Sequence, residues 1–121
     1  MKIYESGENY LETIYLLREK NSRARSIDVA EELGFSRPSV SRAMSILKAN
    51  ELITIDQKGN IEFTEAGLQL AKDTMSKHLT IRRFLENLGV EREIADKDAC
   101  RIEHIISAQT FEKIKKSVET K

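Results

Sequence analysis

The sequence predicts a mainly α-helical fold with one small β-hairpin, followed by a region that is helical throughout. Apolar residues recur at helical spacing over most of the chain. Two short segments alternate apolar and polar residues on either side of a turn-rich stretch. The 121 residues are 33% charged and 40% apolar, a composition typical of globular proteins. We place the two domains at residues 1–70 and 71–121.

The first helix is predicted from Ser6 to about Lys20. Its broad apolar face, which includes Leu11, Ile14 and Leu17, indicates that the helix is well buried. Residues 21–25 then form a polar, basic break in the helical pattern. We expect a short extended segment there, before the next helix.

Residues 26–50 predict two short helices joined by a tight turn. We expect Ser26 to cap the first helix and Gly34 to end it. The second helix begins at Ser36, a favourable N-cap, with Pro38 in the first turn, where its missing N–H costs least. Apolar residues recur at helical spacing along both helices, and they are Ile27, Ala30, Leu33, Val40, Ala43, Met44 and Leu47.

The outer face of the second helix is basic and rich in small hydroxyl groups. Such a helix can pack one side on its partner and place the other in the major groove of DNA. An ordinary helical hairpin with a solvated polar face is the alternative, although charge and motif together favour DNA binding. We expect Arg42 and Ser36 to contact bases. We expect Arg37, Ser39, Ser41 and Lys48 to contact mostly phosphate, and Pro38 is a further candidate contact on this helix.

A β-hairpin is predicted directly after the two helices. Residues 53–55 and 61–63 alternate apolar and polar side chains, and residues 56–60 are rich in turn formers. A hairpin in this position is the wing of a winged helix-turn-helix. Lys58 lies near its tip and is a candidate contact to the DNA backbone. A hairpin that only closes the core is equally compatible with the pattern.

The second half of the chain is predicted to be entirely helical. Thr64 caps a long helix that runs from Glu65 to about Leu88 and ends at Gly89. We expect a short helix over residues 91–98 and a last helix from about Lys97 to Val118.

Composition and charge exclude several classes of protein. No apolar run approaches membrane-spanning length, and the N-terminus has no signal-peptide pattern. The single cysteine excludes an internal disulfide and fits a reducing cytoplasm.

The charges are unevenly distributed along the chain. The 20 basic and 20 acidic residues balance overall, but residues 18–48 carry seven basic and four acidic residues, whereas residues 86–103 carry three basic and six acidic residues. The excess of basic residues in 18–48 could attract phosphate groups, and the excess of acidic residues in 86–103 could bind a cation.

One group of side chains has the chemistry of a metal site. Cys100, Glu103 and His104 stand at i, i+3 and i+4, so they share one helix face. Inward-facing Glu and His side chains build metal sites in helical bundles. His78 and Glu12 are further candidates on other helices. The alternative is that the cysteine and the histidines are ordinary core residues. No oxyanion donors or substrate cleft are evident, so we expect no enzyme.

The chain resembles the metal-dependent transcriptional repressors of the diphtheria-toxin-repressor and manganese-transport-regulator type. The matching stretches are ENYLETIYLL, DVAEELGFSRPSVSRAMSILKANELI, FTEAGLQLA, KHLTIRRFLENLGV and DACRIEHIIS. The resemblance implies an N-terminal winged helix-turn-helix domain and an all-helical dimerisation domain. It also implies a cytoplasmic homodimer that represses metal-uptake genes, binds a palindromic operator in double-stranded DNA and takes no small-molecule substrate.

The resemblance further implies Mn²⁺ or Fe²⁺ as the effector and assigns its ligands by position. Asn9 is a departure, because manganese-type members have Asp there and iron-type members have Met. Glu8 is an alternative if the helix start shifts. Cys100 matches the iron type and Glu12 the manganese type. The ligands carried over are Asn9, Glu12, His78, Cys100, Glu103 and His104.

Some properties of the family are not expected in this chain. A second metal site of iron-type members is expected to be absent, because Arg82 and Asp96 stand at its ligand positions. We also expect no SH3-like third domain, since the chain stops at Lys121. Two other functions stay open: a metal-independent winged-helix regulator, and a helical protein-interaction adaptor.

Overall fold

The computed structural model describes residues 5–120, with side chains from Gly7 onward. The described part forms two compact units, of which the first ends at Lys72 and the second begins at Asp73. No helix within residues 5–120 is long and apolar enough to cross a membrane. The elements in chain order are α1 (Glu5–Asn21), α2 (Ser26–Leu33), α3 (Arg37–Ala49), β1 (Ile53–Ile55), β2 (Ile61–Phe63), α4 (Glu65–Asn87), α5 (Arg92–Ile105) and α6 (Ala108–Glu119).

The first unit is a winged helix-turn-helix, as predicted. Its core is built from the apolar faces of the first three helices and from the hairpin. Leu11 and Ile14 on α1 are fully buried in it, which confirms the predicted inner face of this helix. Tyr10 makes an edge-on ring contact with Phe35, in the turn between α2 and α3, at a centroid distance of 6.1 Å. The first helix therefore packs directly on the two-helix unit.

The start of α2 differs from the prediction. Ser26 lies inside the helix, and Arg25 occupies the cap position. The side chain of Asp28 accepts a hydrogen bond from the Arg25 N–H at 3.0 Å, so a carboxylate in the first turn replaces the expected serine cap. Gly34 ends the helix at φ +71°, as predicted. Arg25 also forms an isolated antiparallel bridge with Asn60, which confirms the extended segment expected before α2.

The hairpin confirms the predicted wing. β1 and β2 pair antiparallel, with Ile53 opposite Phe63 and Ile55 opposite Ile61. One carboxylate oxygen of Asp56 accepts hydrogen bonds from the backbone N–H groups of Lys58 at 2.8 Å and of Asn60 at 2.9 Å. These bonds hold the turn closed and place the Lys58 side chain at the exposed tip.

The beginning of α4 is held tightly against the chain segment before β1. Thr64 caps the helix, as predicted, by accepting a hydrogen bond from the Gly67 N–H at 3.1 Å. The Thr64 hydroxyl also donates to the carbonyl of Glu51 at 2.7 Å. A Cβ atom at Gly67 would lie 1.8 Å from the carbonyl oxygen of Leu52, so only glycine fits this approach. The entry of α4 is therefore fixed by one cap and one close backbone contact.

The second unit contains one break that was predicted in the wrong place. We expected one helix to end and the next to begin near residue 97, and this is wrong because α5 is continuous from Arg92 to Ile105. The break lies at Ser107, whose hydroxyl accepts a hydrogen bond from the Thr110 N–H at 3.2 Å and caps α6. Serine is a favoured N-cap residue, so the sequence did contain a local signal for this break.

Candidate metal centre and nucleic-acid interface

Helix α3 separates its apolar and basic residues onto opposite faces. Val40, Met44 and Leu47 are buried in the core of the first unit. The other face is exposed and carries three basic residues, whereas α3 contains no acidic residue. The positive charge is therefore concentrated on the side of the helix that is open to a ligand, as contact with phosphate requires.

The first turn of α3 is organised by a small hydrogen-bond cluster. The Ser36 hydroxyl accepts from the Ser39 N–H at 3.3 Å, which confirms Ser36 as the N-cap. It also donates to the Ser39 hydroxyl at 2.9 Å. Arg42 Nη2 donates to the same Ser39 oxygen at 3.4 Å. The guanidinium of Arg42 is thus held over the first turn, the part of a recognition helix that usually reaches base edges.

The other candidate DNA contacts are all accessible to solvent. Pro38 and Ser41 are exposed on α3, and Lys58 is exposed at the tip of the wing. The wing also brings in a basic residue that the sequence analysis did not single out. A Cβ atom on Gly59, at the wing tip, would lie 3.5 Å from Nε of Arg25, so this exposed arginine lies beside the tip.

Three of the predicted metal ligands form a cluster on one face of α5. The candidate ligand atoms of Cys100, Glu103 and His104 all lie within 4.8 Å of one another. The side chain of Glu103 is completely buried, and its Oε1 lies 3.2 Å from Nε2 of His104. Helical i, i+3 and i+4 spacing is sufficient to bring these groups together.

His78 on α4 contacts the Glu103 member of this cluster from a second helix. Its Nδ1 lies 3.0 Å from Oε2 of Glu103, and its side chain is only 10% exposed. Its other ring nitrogen, Nε2, lies 2.7 Å from Oδ1 of Asp96. The imidazole is therefore placed between two carboxylates, one of them fully buried and the other on the protein surface.

Asp96 also contacts this site, although the sequence analysis named it only at the position of a second metal site that was expected to be absent. Its hydrogen bond to His78, more than the charges of His78 and Arg82, holds the pKa of the carboxyl below its ordinary value. Arg82 Nη1 approaches the same oxygen at 3.5 Å, and Arg82 Nε lies 3.5 Å from Glu86. Asp96 stands four residues before Cys100 on α5, and this helical spacing is a sequence signal that could have placed it on the ligand face.

The residues present fit a divalent transition metal. A carboxylate with a fully buried side chain, such as Glu103, requires a positive partner or several hydrogen bonds. Ligand atoms on one ion lie about 3–3.5 Å apart when each bond is about 2.1 Å long. The 3.0 Å between His78 Nδ1 and Glu103 Oε2 falls in this range. The thiol of Cys100 and the two imidazoles favour iron, cobalt, nickel or zinc over manganese.

Two predicted ligands lie on α1, in the first unit. Glu12 is buried and Asn9 is half-buried, as is its neighbour Glu8. Asn9 and Glu12 are three residues apart, so they share one side of the helix. Both stay predicted ligands.

Two known families match successive parts of the chain. Residues 2–61 match the family described as iron dependent repressor, N-terminal DNA binding domain. Residues 64–120 match the family described as iron dependent repressor, metal binding and dimerisation domain. The two matches together cover nearly the whole chain, in the order in which the structure places the winged helix-turn-helix and the helical unit.

Individual relatives agree with this assignment. An uncharacterised HTH-type transcriptional regulator of Methanocaldococcus jannaschii is 33% identical over 113 residues, which cover 92% of this chain and 90% of that protein. The transcriptional regulator MntR of Escherichia coli O6:H1 is 33% identical over 105 residues, 87% of this chain and 68% of that protein.

Among solved structures, the manganese regulator SloR superimposes with a TM-score of 0.83 at 28% identity. The match covers the whole of this chain but 56% of SloR, so the chain spans little more than half of that structure.

Proposed function

Because the chain belongs to the iron-dependent repressor family, we propose that it represses metal-uptake genes in the cytoplasm in response to bound Mn²⁺ or Fe²⁺. Members of this family are metal-dependent, DNA-binding transcriptional regulators and not enzymes. The chain is accordingly a DNA-binding regulator that depends on Mn²⁺ or Fe²⁺ and forms a homodimer through its dimerisation domain. The observation that carries the proposal is the fully buried carboxylate of Glu103, which contacts His78 on α4 and lies within 4.8 Å of the ligand atoms of Cys100 and His104 on α5.

The proposed metal ligands in the second unit are His78, Cys100, Glu103 and His104. They supply nitrogen, sulfur and oxygen donors from two helices, and the carboxylate among them is fully buried. Cys100 favours ferrous iron, because a thiolate suits iron better than manganese. When bound, the ion supplies the positive charge that the buried carboxylate requires.

Glu12 is proposed as the ligand that couples the metal to DNA binding, with Asn9 or Glu8 as a weaker addition. Glu12 lies on α1, whose residues Tyr10, Leu11 and Ile14 pack into the core beneath α2 and α3. Holding Glu12 at the metal would therefore also hold α2 and α3, the two helices against which α1 packs. A two-fold symmetric dimer that binds a palindromic site needs its two recognition helices about one DNA turn, roughly 34 Å, apart. Metal occupancy would favour that spacing in the homodimer.

The size of the effect is limited by thermodynamic linkage. A metal shifts the population only by its preference for the DNA-competent form. Moving the dimer from 1:99 to 99:1 requires a preference of about ten-thousand-fold, and partial control requires less. By the same linkage, operator DNA must raise the metal affinity by the same factor that the metal raises the DNA affinity.

The proposal is tested by DNA binding as a function of metal. Operator-type DNA is titrated with the purified protein in Mn²⁺, in Fe²⁺ without oxygen, and in chelator. We expect tight binding only with metal, and loss of that dependence in His78→Ala. Ser76→Ala is the matched control, because Ser76 is an exposed residue two positions earlier on the same helix.

Two results would contradict the proposal. Equal operator binding in metal and in chelator would identify a metal-independent winged-helix regulator. Absence of any footprint on DNA, with folded protein, would favour an interaction adaptor built on the same helices.

A further inference from the structure

We propose that Asp96 is a positioning residue for metal binding, which holds His78 in the tautomer with its proton on Nε2 and thereby presents Nδ1 to the ion. The inference rests on the proposed function, because it takes the cluster around Glu103 as the metal site. It assigns a role to a residue that is itself half-exposed and lies on the opposite side of the imidazole from Glu103.

The geometry sets two tautomers of His78 in competition. A neutral imidazole carries one N–H, yet each ring nitrogen faces a carboxylate oxygen. A proton on Nε2 is donated to Asp96 across 2.7 Å, whereas a proton on Nδ1 is donated to Glu103 across 3.0 Å. Only the first tautomer leaves the lone pair of Nδ1 available to a cation on the Glu103 side.

The surroundings of Asp96 favour the first tautomer. The guanidinium of Arg82 lies 3.5 Å from the oxygen that contacts His78, and the Arg82 side chain is itself held by Glu86 one turn along α4. Both carboxylates can only accept, so the shorter contact favours the proton on Nε2: this nitrogen lies 2.7 Å from Asp96, whereas Nδ1 lies 3.0 Å from Glu103.

The hydrogen bond to Asp96 would affect both the orientation of the His78 ring and the basicity of its Nδ1 atom. A metal-bound histidine commonly donates its second N–H to a carboxylate, which fixes the ring and strengthens the nitrogen donor. Loss of such a partner typically lowers metal affinity by about 10- to 100-fold. In this chain the partner is supplied by α5, the same helix that provides Cys100, Glu103 and His104.

The test uses the fact that the chain has two histidines, so a ¹⁵N-histidine-labelled sample gives a simple spectrum. Long-range ¹H–¹⁵N correlation reports which ring nitrogen of His78 carries the proton in metal-free protein, at a pH where the imidazole is neutral. Zn²⁺ titration of the same samples reports affinity. The variants are Asp96→Ala, which removes the acceptor, and Asp96→Asn, which retains an acceptor oxygen. Asp98→Ala is the charge-matched control, an exposed residue on the same helix.

We expect the Nε2–H tautomer of His78 in the wild type, in Asp98→Ala and largely in Asp96→Asn. Asp96→Ala should lose this preference, and its Zn²⁺ affinity should be lower by about 10- to 100-fold. An unchanged tautomer in folded Asp96→Ala would overturn the inference. Should the wild type bind no Zn²⁺, Mn²⁺ or Fe²⁺, the proposed function fails, and the metal-free tautomer comparison still decides the role of Asp96.

Discussion

The Nδ1 atom of His78 on α4 lies 3.0 Å from Oε2 of Glu103 on α5, which joins two helices across 25 positions of sequence. The backbone carbonyl of Glu103 also accepts a hydrogen bond from Lys77 at 3.4 Å. Glu103 is therefore held by adjacent residues of α4, through its side chain and through its backbone. A carboxylate placed in this way is oriented before any ion arrives, which lowers the cost of binding.

Replacing Glu103 by Gln should lower the affinity for divalent metal by more than about tenfold, the lower limit typical of losing a supporting group around a metal. Glutamine keeps the shape but removes the negative charge that the ion neutralises. Calorimetric titration with Zn²⁺ measures the effect, and Glu93→Gln, exposed on the same helix, is the control. Equal affinity of the two variants would remove Glu103 from the site.

Replacing Cys100 by Ser should change metal selectivity more than overall stability. Serine removes a soft sulfur donor, and soft donors contribute more to iron, cobalt and zinc than to manganese. We therefore expect the affinity for Co²⁺ and Zn²⁺ to fall more than the affinity for Mn²⁺. Competition titrations with the three ions check this. A uniform fall for all three would mean that Cys100 is a packing residue and not a ligand.

The local parts of this site were predictable from sequence because helical spacing alone determines them. Cys100, Glu103 and His104 share a face of α5 whatever the rest of the chain does. The caps at Ser36 and Thr64 were predictable for the same reason, since each involves a backbone N–H three residues away.

The features that the sequence analysis missed or predicted wrongly depend on tertiary contacts or on competition between local signals. The contact of Asp96 with His78 requires α4 and α5 to meet at one register, which no short-range pattern encodes. At α2, Asp28 competed successfully with Ser26 for control of the helix start, because a carboxylate in the first turn also satisfies the backbone.

Arg42→Ala should weaken operator binding by about 1–3 kcal/mol and relax the preference at one base pair, if the guanidinium contacts guanine. The hydrogen bond to Ser39 already holds the side chain over the first turn of α3. Binding to operator and to random DNA is compared by fluorescence anisotropy at one salt concentration. Lys48→Ala serves as the comparison, because a phosphate contact loses affinity for all sequences alike. An equal loss on random DNA would make Arg42 a phosphate contact too.

Gly67→Ala should destabilise the metal-free protein by about 1–3 kcal/mol or more, as overpacking does. Alanine would favour the helix by about 1 kcal/mol. Its Cβ, however, would lie 1.8 Å from the carbonyl oxygen of Leu52, and a backbone atom yields less readily than a side chain. Urea unfolding measures the result, with Ala66→Gly at the exposed neighbouring position reporting helix propensity alone. Stabilisation by Gly67→Ala would show that the close approach is not maintained in solution.

The wing should lose stability in acid through Asp56. Hydrogen bonds from backbone N–H groups, that of Asn60 first, hold the pKa of Asp56 below its ordinary value. Since the folded pKa is depressed, the contribution is complete above about pH 4–5, near and above the ordinary value of about 3.9, and is lost as the pH falls through the lowered pKa. Amide hydrogen exchange at Lys58 and Asn60, corrected for the intrinsic pH effect, should show protection that declines in this window.

Asp56→Asn should abolish that dependence, because an amide does not titrate, and its protection should be lower than that of the wild type at neutral pH. Asp98→Asn, on the exposed surface of α5, should behave as the wild type. If the wild type and Asp56→Asn lost protection in parallel as the pH fell, the Asp56 carboxylate would not be the group that closes the turn. The position of Lys58 at the wing tip would then depend on the pairing of Ile55 with Ile61 in the two strands.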